Sequence, residues 1–173
     1  MAPKPAPPVI LPTLVVGPVD VGRLVREVAV ISENLLELGL RSGDKAREVK
    51  LPKTSLLMDQ IVELNKLNLL HETDRQHLQQ ALEAIKQQAP LLNISFSADP
   101  SPAFLDKLMT WLRSEIHPAL LVTIGLQPNI GAGCVVRGPN RYFDFSLRQH
   151  FADQRELLIA SLSPAVQPTE VKA

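Results

Sequence analysis

The sequence predicts an α+β protein in which an N-terminal helical segment is followed by a small βαβββα domain. Three observations predict it. Apolar residues recur at helical spacing from Val21 to Ala89, and they alternate singly just beyond Pro90. They return to helical spacing after Pro102 and again after Ser146, with glycine and proline at the joints. A chain of 173 residues with 45% hydrophobic content can bury one ordinary core or two small ones. The change of period at Pro90 places the division: residues 1–18 a proline-rich extended arm, 19–90 helical, 91–162 α+β, and 163–173 a flexible tail.

The arm carries Pro3, Pro5, Pro7, Pro8, Pro12 and Pro18, which remove backbone donors and disfavour helix. It reads as extended chain outside the fold. Val21, Leu24, Val28, Ile31, Leu35 and Leu38 then lay one stripe along a helix, with Asp20 as its predicted N-cap and Gly39 as its stop. The seam is short, which favours packing within the chain over a free-standing coiled coil. A polar loop, 41–53, closes at Pro52. The next helix is predicted from Thr54 to Leu70, burying Leu57, Ile61 and Leu64 with Met58 and Leu67 at the flanks. After a break at Asn68–Glu72, Thr73 and Gln76 form a capping-box pattern ahead of Leu78, Leu82, Ile85 and Ala89.

Beyond Pro90, Leu92, Ile94 and Phe96 alternate with Asn93, Ser95 and Ser97, a half-buried strand. Asp99-Pro100-Ser101-Pro102 supplies N-cap residues and a first-turn proline for a helix burying Phe104, Leu105, Leu108, Met109, Leu112 and Ile116, ended by His117-Pro118. Residues 119–126, 132–137 and 141–145 read as three consecutive antiparallel strands, joined by 127–131 and by the turn Gly138-Pro139-Asn140. Ser146 caps the last helix, which carries Leu147, Phe151, Leu158 and Leu162.

Eighteen basic residues balance eighteen acidic ones, so no overall charge points to a dedicated nucleic-acid or anionic-membrane binder. The single cysteine, Cys134, excludes an intrachain disulfide and any CxxC site. No apolar run resembles a signal peptide or a membrane span, which predicts a soluble chain that reaches a membrane through a partner.

No catalytic, cofactor or metal site is predicted. His71-Glu72-Thr73-Asp74-Arg75 starts like a zinc-protease HExxH, but Arg75 stands where the second imidazole must reach the metal. His77, His117 and His150 have no neighbour at ligand spacing. Gly131-Ala132-Gly133 lacks the third glycine of a dinucleotide loop and leads into a strand instead of a helix. Cys134 reads as a small buried hydrophobe. Arg137, Arg141, Tyr142, Phe143, Phe145 and Arg148 interleave guanidinium and aromatic groups, a mixture that can stack bases and neutralise phosphates. Alternation places Phe143 and Phe145 on one face, read as core, so that nucleic-acid binding through Arg137, Arg141, Tyr142 and Phe143 is the alternative function and not the expected one.

Leu126-Gln127-Pro128-Asn129-Ile130-Gly131-Ala132-Gly133-Cys134-Val135-Val136-Arg137, followed by Tyr142-Phe143-Asp144-Phe145-Ser146-Leu147-Arg148, resembles the C-terminal domain of the F-type ATP synthase delta subunit, the oligomycin-sensitivity-conferring protein family. Ile130-Gly131 matches the family's isoleucine-glycine-glycine strand with the second glycine shifted to Gly133. Asp144-Phe145-Ser146 replaces its aspartate-glycine-serine. The order of elements from about Ile61 to Leu162 matches as well, including Asn65-Lys66-Leu67-Asn68-Leu69-Leu70 ahead of the connecting helix. The family's six-helix head-binding bundle does not fit in this chain, which has space for two or three helices before Leu70.

The resemblance implies a non-catalytic stator subunit without cofactors. Its partners would be the synthase alpha and b subunits, its place the cytoplasm at the inner face of the cell membrane through the complex. The implied partner surface lies on the C-terminal module. Leu157, Leu158 and Ile159 span about 200° of the last helix, too wide an arc for one buried face. Leu147, Phe151 and Leu158 are therefore expected to anchor the core, with Leu157 and Ile159 left to dock a stalk helix together with Tyr142 and Arg148.

Overall fold

The computed structural model describes residues 9–41 and 53–162, and the protein is α+β. Its elements are α1 (Pro18–Arg41), α2 (Leu56–Asn65), α3 (Glu72–Gln88), β1 (Leu91–Phe96), α4 (Pro102–Glu115), β2 (Leu121–Leu126), a 3-10 turn (Pro128–Ile130), β3 (Gly133–Arg137), β4 (Tyr142–Ser146), α5 (Leu147–Asp153) and α6 (Arg155–Leu162). They group into two compact units, Met1–Leu92 with Ser101–Thr123 and Asn93–Pro100 with Ile124–Ala173. Helix α4 thus groups with the preceding helices, where the change of period had placed it with the strands. Residues 42–52 of the predicted polar loop, the first eight residues of the arm and the 163–173 tail lie outside the described residues.

The first unit is built on the stripe of α1. Val21, Leu24, Val28 and Ile31 are buried against Met58 and Ile61 of α2 and Leu78 and Leu82 of α3. Each such side chain stabilises the fold by about 1.5–3 kcal/mol through the apolar area it removes from water. The stripe fades toward the C-terminal end, where Leu35 is half-buried and Leu38 exposed. Asp20 sits inside the first turn and not at the cap position; its Oδ2 accepts from the Val16 and Gly17 N–H groups, 3.1 Å each. The helix also runs through Gly39, where a stop was expected. An interior glycine costs about 1 kcal/mol relative to alanine, too little to end a helix of this length.

Helix α2 is shorter than the 54–70 predicted. Ser55 caps it by accepting from Met58 N–H at 3.2 Å, and Lys66 ends it in the left-handed conformation at φ 52°. Its buried face is Met58 and Ile61, with Leu57 half-buried and Leu64 exposed, one position round from the face predicted. The predicted break follows, and α3 then begins at Glu72 with His71 in the cap position. The Thr73/Gln76 box does not form. Gln76 donates instead to Glu72 Oε1 at 2.9 Å, and Asp74 Oδ2 accepts from Asn68 N–H at 2.8 Å.

Residues 9–17 are part of the fold and not an outlying arm. Leu11 and Val15 are buried in the same core as α1. This stretch forms no regular helix or strand, so its carbonyls need partners from elsewhere, and Arg113 of α4 supplies several of them. Its Nη1 donates to Leu11 O (3.2 Å) and Pro12 O (2.7 Å), its Nη2 to Val15 O, and its Nε to Leu120 O (3.4 Å). Burial pulls the Arg113 pKa down to about 10. Asn65 adds a second tie, its amide exchanging hydrogen bonds with the Ile10 backbone at 2.7 and 2.9 Å. Helix α4 starts as predicted, with Ser101 accepting from Phe104 N–H at 3.3 Å and Pro102 in the first turn. Met109 and Leu112 are buried, whereas Phe104 and Ile116, expected in its core face, are exposed.

The four strands form one sheet in the order β2-β1-β3-β4. β1 pairs antiparallel with β3 (Ser95 opposite Val135), and β3 with β4 (Val135 opposite Asp144). Leu121 N–H donates to Pro90 O at 3.0 Å and Gln127 N–H to Phe96 O at 2.8 Å, the same sequence offset at both ends, so β2 runs parallel to β1. This corrects the expected three-strand meander. A strand that leaves a βαβ crossover returns beside and parallel to its starting strand. The 127–132 connection then carries the chain past β1 to pair β3 on its other side.

Candidate functional site

In the second unit the chemistry-bearing side chains gather on the β3–β4 hairpin. Gly138 N–H donating to Arg141 O at 2.8 Å closes its turn. At its other end Gly133, at φ +96°, lies so close to β4 that a Cβ would stand 2.2 Å from Phe145 O. Only glycine combines that backbone with that approach. Residues opposite each other in the ladder share a face, so Phe143 sits beside Val136 and Phe145 beside Cys134, with Ile94 and Phe96 of β1 completing the row.

The inner end of this face, Ile94 and Phe96, is buried, and the outer end is open. Phe143 is 44% and Phe145 63% exposed, their rings stacked at 6.1 Å between centroids and 11° between planes. Their expected place in the core is corrected. β4 is the edge of the sheet, and among the described residues no strand lies outside it. On the opposite face Arg137 lies over the Tyr142 ring, 5.5 Å from its centroid. Arg137, Arg141 and Arg148 are all exposed.

Asp144 supplies the hairpin's one carboxylate. Its Oδ1 accepts from Ser146 N–H at 2.9 Å. The Ser146 hydroxyl and N–H, then the Arg148 charge and the Tyr142 hydroxyl, hold its carboxyl below the ordinary value. Cys134 is half-buried; burial first, and the Asp144 charge second, push its thiol up. A thiol so placed stays protonated at neutral pH and is a poor nucleophile.

Two short helices, α5 and α6, stand where one continuous helix was predicted, with the interruption at Gln154. Leu147 and Phe151, expected to anchor the core, are both exposed. Leu157 is 67% and Ile159 53% exposed. The Leu158 and Leu162 side chains, and that of His150, lie outside the described residues. The hairpin brings Tyr142 and Arg148 together around Asp144, while Leu157 and Ile159 belong to α6.

The first unit offers a different surface. A cavity of about 500 Å³ between α1 and α3 is lined by Glu33, Leu36, Glu72, Arg75, Gln76 and Gln79. Arg75, the residue that breaks the zinc-protease pattern, turns inward and donates from Nη1 to Leu69 O (2.8 Å) and Leu70 O (2.9 Å), tying off the end of the α2–α3 connection. His117 Nδ1 accepts from Ala119 N–H at 3.1 Å, a turn-forming role. Among the described residues no three His, Cys, Asp or Glu side chains converge on a metal position, and no helix is long and apolar enough to cross a membrane. No family model and no curated protein matches this chain.

Proposed function

We propose that the chain is a non-catalytic connector of an F-type ATP synthase peripheral stalk. In this reading it links the catalytic head to the stalk b subunits and resists rotation during proton-driven synthesis. The observation that supports it best is the set of exposed apolar side chains on the second unit: Phe143 and Phe145 stacked on one face of β4 with Tyr142 on the other, Leu147 and Phe151 on α5, Leu157 and Ile159 on α6. Adjacent exposed rings such as the stacked Phe143–Phe145 pair mark a protein contact more readily than scattered single residues do. The pair falls on the stretch that resembles the C-terminal domain of the delta family. A connector needs two binding surfaces and no reactive group, and linking two modest contacts multiplies overall avidity. The helical unit would reach the head through the alpha subunit. The second unit would hold the stalk helices, and the membrane would be met through the complex alone.

Affinity capture of the alpha and b subunits from the source cell tests this reading, with Leu157→Asp as the discriminating variant. The intact chain is expected to retain both subunits, and the variant to keep its fold and lose b. Capture of neither subunit defeats the proposal. The exposure of Phe143 and Phe145 beside Arg141 favours one second reading, a single-stranded nucleic-acid site. That reading requires tight binding which weakens steeply with salt and is abolished by Arg141→Ala.

A further inference from the structure

We infer that the cavity between α1 and α3 binds a small zwitterion, a free amino acid with an apolar side chain, whose carboxylate is received by Arg75. The cavity lies wholly within the first unit, and the connector reading does not depend on it. Arg75 is 9% exposed, and its Nη1 gives its hydrogens to the Leu69 and Leu70 carbonyls, at 2.8 and 2.9 Å. That tie to the α2–α3 connection uses Nη1 alone. Nε is buried with no hydrogen-bond partner. Among the described residues no carboxylate pairs with this guanidinium, and its remaining donors, on Nη2, belong to a side chain that lines a cavity of about 500 Å³. A guanidinium taken this far out of water is costly unless an anion or a full set of acceptors meets it. A carboxylate entering the cavity would offset that cost.

The other walls decide what else the ligand carries. Glu33 and Glu72 line the same cavity and are exposed. Glu72 Oε1 accepts from Gln76 at 2.9 Å, which holds the carboxylate in place without using its second oxygen. A simple anion such as phosphate would be attracted by Arg75 and repelled by the two carboxylates, and a simple amine would be repelled by the guanidinium. A molecule carrying both charges is met by both. Leu35, half-buried, and Leu36, 67% exposed, give the cavity an apolar wall for the rest of the ligand. The volume falls within the range typical of small-molecule sites, about 300–1,000 Å³.

The test follows backbone amide shifts of the full isotope-labelled chain during titration with L-leucine. Isocaproate, which keeps the carboxylate and drops the amine, isoamylamine, which keeps the amine and drops the carboxylate, and inorganic phosphate serve as the comparison probes. Leucine is expected to move the amides of residues 32–36 and 72–79 saturably, and each comparison probe to bind about tenfold more weakly or less. Arg75→Lys should weaken leucine by about tenfold or more, because an ammonium cannot reproduce the planar fork. Leu36→Trp places an indole at the cavity from an exposed position and should abolish binding. Unchanged amide exchange in α1 and α3 will show that this second variant still folds, so the outcome stands even if Arg75→Lys loosens the α2–α3 connection. No saturable shift up to about 50 mM leucine, binding of any comparison probe as tight as that of leucine, or undiminished binding by Leu36→Trp overturns the inference. Tighter binding of an acetylated peptide that ends in a leucine carboxylate also overturns it, and makes the cavity a seat for the end of a partner chain.

Discussion

Replacing Gly133 by alanine tests the geometry on which the candidate surface is built. The added Cβ would lie 2.2 Å from Phe145 O and 3.1 Å from Ser146 Cα. Contact that close to a backbone atom cannot be relieved by turning a side chain, so the ends of β3 and β4 must part. The φ of +96° adds a conformation that costs an L-residue about 1–2 kcal/mol. The bonds nearest the displacement are Ser97 N–H to Gly133 O at 3.3 Å and Leu147 N–H to Ala132 O at 2.9 Å, each worth about 1 kcal/mol net. Together with the broken end pair, the loss comes to about 3–5 kcal/mol. Gly131 is the internal control: it has φ +76° but nothing within 4 Å of a Cβ, so Gly131→Ala should cost about 1–2 kcal/mol from the backbone alone. In urea titrations followed by far-ultraviolet circular dichroism, with a slope of about 2 kcal/mol per molar, the Gly133 midpoint should fall by roughly 1.5–2.5 M and the Gly131 midpoint by less than about 1 M. Amide exchange should accelerate in β3 and β4 for Gly133→Ala. Equal midpoints for the two variants would refute the close-approach reasoning.

Arg113→Ala should destabilise the protein by about 2–4 kcal/mol, because charge-assisted bonds to the Leu11, Pro12, Val15 and Leu120 carbonyls are lost while the cost of burying the guanidinium is also removed. Hydrogen exchange should then show the Val122 amide, which donates to Val16 O, losing protection. Ser55→Ala should cost about 1 kcal/mol through the α2 cap. Glu27→Ala should be non-additive with it, since the Glu27 carboxylate accepts from both Ser55 N–H and Oγ at 2.6 Å, and a double-mutant cycle in urea measures the coupling. The Asp144 carboxyl is held below its ordinary value in the folded protein, so its contribution is present above the unfolded pKa and is lost as pH falls through the lower folded one. The gap in urea midpoint between the native chain and Asp144→Ala should therefore be full at neutral pH and close in strong acid; a gap independent of pH would contradict the Ser146 and Arg148 interactions.

Features carried by local chemistry were legible in the linear chain. The α1 stripe from Val21 to Ile31, the alternation that buries Ile94 and Phe96, the Ser101-Pro102 helix start and the Gly138-Pro139-Asn140 turn each depend on neighbours within a few residues, and the α+β class follows from them. What depended on distant partners was decided by the tertiary structure alone. Leu11 and Val15 are core because Arg113, about a hundred positions away, satisfies the carbonyls around them. β2 stands on the far side of β1 from β3 because the α4 crossover returns it there, which strand spacing cannot reveal. The reversal of Phe143 and Phe145 from core to surface has the same origin: alternation assigns two side chains to one face of a strand, but whether that face is covered depends on which strand lies at the edge of the sheet, and here it is β4.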